Sequence, residues 1–346
     1  MSALQQHPET TAHDPSLRGS LLRAEVLRLR SRRMVRVLLM LGVLALLAGI
    51  VVAFTQHAKP SAAGLADAAH RRQQVVAEQG RVRAGCLARV GTQDGPVNTD
   101  RCGPVLTPDQ FGRVEDFVHK HPFTLSGAGR SGVLGVAGVG AALAFAVGAT
   151  YVGAEWSTRS MVALLFWQPR RGKVMATKLA VLTIAVALLG AVAEGVWLVA
   201  ARVLVATRGT TAGEPGLWGQ LVASAGRGVL LVVLAGLLGF GLANLVRNTA
   251  AALGAGFVYF AIVENVVRVL RSGWQQWLVT NNAVALLTRG GLRIYTSQGF
   301  VDGQGYYQST GREITISNLR GGLLIAVVAT VVVAAGVVLF ARRDLD

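Results

Sequence analysis

Residues 130–178 read RSGVLGVAGVGAALAFAVGATYVGAEWSTRSMVALLFWQPRRGKVMATK. Positions 131–153 carry no charge and are rich in Gly and Ala, positions 168–173 (Gln168-Pro169-Arg170-Arg171-Gly172-Lys173) are basic, and a second apolar run starts at Lys178. A helix rises about 1.5 Å per residue, so about 20 apolar residues cross the ~30 Å hydrocarbon core of a bilayer. The stretch therefore predicts a membrane helix (131–153), a basic cytoplasmic loop with a short helix (154–177) and a returning membrane helix (178–205).

The rest of the chain fits around that pair. Its 346 residues are 52% hydrophobic and 15% charged, with a mean hydropathy of +0.48. Soluble domains carry about 25% charge, and here the deficit is concentrated in discrete runs. Further spans are expected at 34–55, 217–246, 249–268 and 321–341. Residues 1–16 are polar and expected to be disordered. Residues 17–33 are basic, with Leu22, Val26 and Leu29 spaced as on one helix face. They read as an interfacial helix whose Arg side chains reach lipid phosphates, or as a plain continuation of the first span. The fold class is an all-α polytopic membrane protein: six transmembrane helices, an N-terminal interfacial helix and two sizeable extracytoplasmic segments, 56–130 and 269–320.

The net charge of +16 is explained by membrane lipid rather than nucleic acid, because the cations cluster beside apolar runs. The positive-inside rule then places both termini and 154–177 in the cytoplasm, for a multi-pass protein of the cell membrane. The outer segments also hold Arg71, Arg72, Arg81, Arg83, Arg289 and Arg293. Long translocated segments escape the rule, so the short flanks decide orientation.

Segment 56–130 contains both cysteines, Cys86 and Cys102. In an oxidising compartment they form a disulfide or remain two free thiols. Thr107-Pro108-Asp109-Gln110 has the pattern of a capped helix start, predicting a helix to about Lys120 that stops before Pro122. In 269–320, Trp274 and Trp277 read as interfacial anchors, Ile314-Thr315-Ile316 as a short strand, and Gly299, Gly303, Gly305 and Gly311 as turns. Arg247-Asn248 reads as a tight turn.

No motif for chemistry emerges. Gly172-Lys173 lacks the rest of a phosphate loop, neither common hydrolase pattern occurs, and His119 and His121 have no companions for a metal. No catalytic, cofactor-binding or metal residue is assigned. Charges inside the spans are more informative. Glu194, Arg227, Glu264 and Arg268 fall at a similar outer depth, as a candidate polar layer. Such a layer either lines a translocation path or gate, or is structural pairing and snorkelling to headgroups. Glu155 stands at the inner mouth of its span with Arg159 one turn on, as a candidate pair. Gly140, Ala144 and Gly148 leave one helix face almost bare, for tight helix packing or for a channel lining.

Three stretches together resemble the membrane subunit of an ABC-2-type transporter. They are the basic lead-in at 21–33, then Gly153-Ala154-Glu155-Trp156-Ser157-Thr158-Arg159-Ser160, then Gln168-Pro169-Arg170-Arg171-Gly172-Lys173 before a span; the ending Phe340-Ala341-Arg342-Arg343-Asp344-Leu345-Asp346 is similar too. The resemblance covers most of the membrane part but not 56–130 or the segment before the last span. It implies an ABC exporter permease that is not itself an enzyme. It also implies a coupling helix (157–166) docked on a separate cytoplasmic ATPase dimer that holds ATP and Mg, and a second permease copy, identical or not. Glu155, Trp156, Arg159, Pro169, Arg170, Arg171 and Lys173 are then the coupling residues, and Lys178 is the Lys that starts the third span. The alternatives are a non-transporting membrane scaffold or sensor whose outer domain binds a ligand or partner, and an intramembrane enzyme.

Overall fold

Each long apolar run folds as one helix. A backbone without water must satisfy its N–H and C=O groups within the segment, and a helix does so. The computed structural model describes residues 16–90, 102–104, 108–158, 160–161, 166, 170–209, 216–301 and 307–342. Helix α1 (Ser16–Ser31) is followed by α2 (Arg33–Gln56), with Arg32 at the break, so the lead-in is a separate helix and not a continuation of the span. Then come α3 (Ala62–Val90), α4 (Arg130–Ser157) behind a π turn at Leu125–Gly129, α5 (Arg171–Arg208), α6 (Leu217–Val246) and α7 (Thr249–Leu270, with a π turn at Tyr259–Val263). The short α8 (Val279–Leu287), strands β1 (Leu292–Val301) and β2 (Tyr307–Ile316), and α9 (Asn318–Arg342) complete the order. Among the described residues six helices are long and apolar enough to cross a membrane: α2, α4 with its π turn, α5, α6, α7 and α9. This is the architecture of an all-α multi-pass membrane protein.

The chain divides into two compact units. The larger comprises Met1–Leu46, Val133–Trp197 and Gly219–Asp346. Its core joins Ala144, Val147, Tyr151 and Val152 of α4 to Leu182 and Val186 of α5, Phe240 and Ala243 of α6, Ala252 of α7 and Phe340 of α9. The Gly140/Ala144/Gly148 face is packed and lines no channel: a Cβ at Gly148 would stand 2.0 Å from the carbonyl oxygen of Gly236 on α6. Between α6 and α7, Arg247 takes φ 54° and the Asn248 side chain accepts from the Ala251 N–H at 3.0 Å, which makes the expected tight turn. By contrast, Met40 and Leu44 of α2 remain exposed, as side chains facing lipid do.

The segment after α7 differs from expectation. Instead of one short strand there is an antiparallel hairpin, paired from Leu292↔Ile316 to Val301↔Tyr307. Gly299 and Gly311 mark no turns; they sit in the ladder opposite Ser309 and Ser297. Gly303 and Gly305 lie outside the described residues. The hairpin is fixed at its root, where Ile294 and Ile316 pack on Ala285 of α8. Beyond that root its strands are mostly polar, so they lack the alternation that marks a strand in sequence.

The smaller unit comprises Leu47–Gly132 and Leu198–Trp218. The helix expected from Pro108 to Lys120 is instead two 3-10 turns, Pro108–Phe111 and Val114–Phe117. Gly112 adopts φ 92° between them, a conformation that ends a right-handed helix. Thr107, the expected cap, lies outside the described residues. Arg71 of α3 donates to the Phe117 carbonyl at 3.0 Å, and Cys86 is disulfide-bonded to Cys102. Lys120 donates to Thr55 O at 2.8 Å and Lys59 to Ala206 O at 2.9 Å, placing cations on the C-terminal carbonyls of α2 and α5.

Candidate functional site: a buried ion network at the ends of α4 and α5

Lys178, two turns into α5, is fully buried at 0% exposure. Its ammonium lies 2.7 Å from Glu25 Oε2 of α1 and 2.8 Å from Glu155 Oε2 of α4, and donates to Glu155 Oε1 at 3.0 Å. Around this centre Tyr151 Oη donates to Glu25 Oε2 at 2.7 Å, and Arg28 Nη1 pairs with Glu25 Oε1 at 2.8 Å. Arg32, at the α1–α2 break, pairs with Glu155 Oε1 at 2.8 Å and donates to Thr150 O at 3.0 Å. The sequence positions these groups simply. Tyr151 and Glu155 are four residues apart on one face of α4; Glu25, Arg28 and Arg32 recur at three- and four-residue spacing. Three helices thus meet through charge.

Burial alone pushes the Glu25 carboxyl up, but the Lys178 charge and hydrogen bond, the Tyr151 hydroxyl and Arg28 outweigh it and hold it below its ordinary 4.5. A lowered folded value means that this hold on α1 is fully present above the ordinary value, and is lost only as pH falls through the lowered one. At neutral pH the network is closed.

Glu155 pairs with both Lys178 and Arg32; Arg159, its expected partner, lies outside the described residues. Trp156 is also turned inward. Its Nε1 donates to Asn244 Oδ1 at 3.1 Å, its ring meets Phe340 edge-on at 5.8 Å, and the Arg247 guanidinium lies 4.5 Å from its ring centre. Arg171 donates to the Phe340 and Ala341 carbonyls at 3.4 and 3.3 Å, capping α9. Of the seven coupling candidates, Glu155, Trp156 and Arg171 therefore hold the chain to itself. Arg170 is exposed and Lys173 half-buried. Pro169 and most of the expected 157–166 helix lie outside the described residues.

The four charges expected as one outer layer separate into three settings. Glu264, 1% exposed, pairs with Arg268 at 3.3 Å. It also accepts from the Thr280 N–H at 3.1 Å and from the Thr280 hydroxyl, which in turn accepts from Arg268. Its carboxylate thus caps the N-terminus of α8, where a negative charge is favoured. Arg227 serves the other end of α8, donating to Leu286 O at 3.2 Å, and Asn318 reaches the carbonyls of Ala285, Leu286 and Thr288 at 2.7, 3.0 and 2.6 Å. Glu194 joins neither group, because its two oxygens have no hydrogen-bond partner. Glu264→Ala is expected to loosen the first turn of α8 by about 1 kcal/mol, the usual cost of a lost cap. Amide exchange at Thr280 should then quicken while α6 is unchanged; equal rates at Thr280 would show that Glu264 is not the cap.

Sequence reasoning missed Glu25, Arg32 and Tyr151. One signal was present: Glu25 is the single acidic residue in the basic 17–33 stretch. Among the described residues no group of three or more His, Cys, Asp or Glu is placed to hold a metal. No protein-family model matches the chain, and no curated protein matches it in sequence.

Proposed function

We propose that this chain is the transmembrane permease subunit of an ATP-driven exporter of the ABC-2 type. In this reading the end that carries α1 and residues 158–170 faces the cytoplasm. ATP and Mg bind a separate ATPase dimer there, and a second permease copy completes the translocation path. The carrying observation is the ion network. The connector leaves α4 two residues after Glu155 and enters α5 two turns before Lys178, and those two groups are bonded to each other and to α1. A push on the connector is therefore delivered to three helices together instead of being absorbed by a bending loop. Rigid displacement of helices is how a motor on one side of a membrane can open a path across it. The Cys86–Cys102 disulfide supports an oxidising, extracytoplasmic setting for the smaller unit.

The test is co-purification with an ATP-binding cassette subunit encoded beside this chain. The double charge reversal Arg170→Glu with Lys173→Glu touches neither the ion network nor the α9 cap. It is expected to weaken the complex at least tenfold in a pull-down titration while the permease keeps its thermal stability. A chain that stays alone in mild detergent in the presence of that subunit would instead favour the scaffold or sensor reading.

A further inference from the structure

Four carboxylates are buried among the described residues: Glu25, Glu155, Glu194 and Glu264. Three of them face a cation of the chain. Glu194 is the exception. It is 2% exposed, and neither oxygen has a hydrogen-bond partner. Its walls are made of very small residues. A Cβ on Gly228 of α6 would stand 2.6 Å from Glu194 Oε1 and 3.1 Å from the Ala137 methyl of α4. Arg227, the charged neighbour of Gly228, donates its guanidinium to Ala223 O at 3.2 Å, Ser224 Oγ at 3.3 Å and Leu286 O at 3.2 Å.

A buried carboxylate without a partner is costly, so it calls for a counter-charge supplied from outside the chain. An inorganic ion does not suit the place. A hard cation needs about six oxygen ligands, and Gly228 and Ala137 bring no side-chain oxygen. A proton needs one carboxyl oxygen. A lipophilic organic cation needs one carboxylate and apolar walls, and this site provides both. The approach from lipid is short. Ala191, one turn before Glu194 on the same face of α5, is exposed, and no atom lies within 4 Å of where a Cβ on Gly195 would stand.

We propose that Glu194 is an exchange site for a proton and a lipophilic organic monocation, an amine or onium amphiphile that arrives from the bilayer and sits between α4, α5 and α6. Because the carboxyl is closed over by Gly228 and Ala137, the cation enters when α4 and α6 part. That this cation is cargo rests on the exporter reading; the binding itself does not.

The test uses the purified full chain in detergent without any ATPase, with tetraphenylphosphonium as the probe. Equilibrium dialysis should show saturable binding, and titration calorimetry in two buffers of different ionisation heat should show about one proton released per cation in mildly acidic buffer. Glu194→Gln should weaken binding at least tenfold. Gly228→Ala, whose methyl group fills the space against Oε1, should weaken it as well. No saturable binding by the unmodified chain, or binding by Glu194→Gln within twofold of it, would overturn the proposal. If Glu194→Gln does not assemble, the proton count of the unmodified chain decides: binding without proton release overturns the exchange. Binding that depends on Glu194 in a chain that associates with no ATPase would leave the site standing and remove the exporter reading.

Discussion

Lys178→Met is expected to be the most damaging single substitution in the ion network. The methionine fills nearly the same volume, so the loss is electrostatic. Glu25 and Glu155, now 2.7 and 2.8 Å from the ammonium, would face each other in a closed site without it. Removing one partner of a buried pair costs about 3–5 kcal/mol when the other charge is left uncompensated; Arg28 and Arg32 stay on the two carboxylates, so the lower end of that range is expected. The arrangement also predicts its own repair. In Lys178→Met combined with Glu25→Gln and Glu155→Gln no anion remains to be stranded, and Arg32, whose side chain is 20% exposed, can turn toward water. More than half of the lost stability should return. Thermal unfolding in detergent measures both, and protease cleavage in α1 reports whether the lead-in helix has come loose. A Lys178→Met protein within about 0.5 kcal/mol of the parent, the scale of a neutral surface change, would show that the network does not hold these helices together.

The network also marks where the sequence stops being readable. Six apolar helices were legible because a bilayer imposes a length and a composition that any contiguous run displays. The connector's charge was legible for the same reason. Which charges meet was not. Arg159 follows Glu155 by four residues, the spacing of a local pair, whereas Lys178 and Arg32 reach Glu155 from separations of 23 and 123 residues, which no local spacing reveals. Glu264 and Arg268 stand four residues apart, and there the local spacing does match the ion pair. Its second role, capping α8 through Thr280, depends on a helix that the sequence did not announce: nine residues long and preceded by a 3-10 turn at Ser272–Trp277. The hairpin was hidden by polar strands, and the helix expected after Pro108 is broken at Gly112, a stop signal present in the sequence against the capped start before it.

Gly148→Val is expected to separate α4 from α6. The Cβ it adds would stand 2.0 Å from Gly236 O and 2.9 Å from Phe240 N, and both are backbone atoms that no rotamer change can move aside. The helices must then part over the segment where Val147 and Tyr151 pack with Phe240 and Ala243. Overpacking in a dense core costs about 1–3 kcal/mol when side chains can give way, and more when they cannot. The result should sit at or above the upper end of that range. The same helix supplies the control. Gly135→Val adds the same side chain at a position where nothing lies within 4 Å of the new Cβ, so any cost or gain there comes from helix propensity alone, at most about 1 kcal/mol. The two variants have equal composition, so hydrophobicity cannot explain a difference between them. If the chain is the proposed exporter subunit and the contact between α4 and α6 transmits motion from the connector, Gly148→Val should also uncouple transport from ATP hydrolysis at temperatures where the protein is still folded, and Gly135→Val should not. Equal unfolding temperatures for the two would mean that α4 and α6 are further apart than the structure places them.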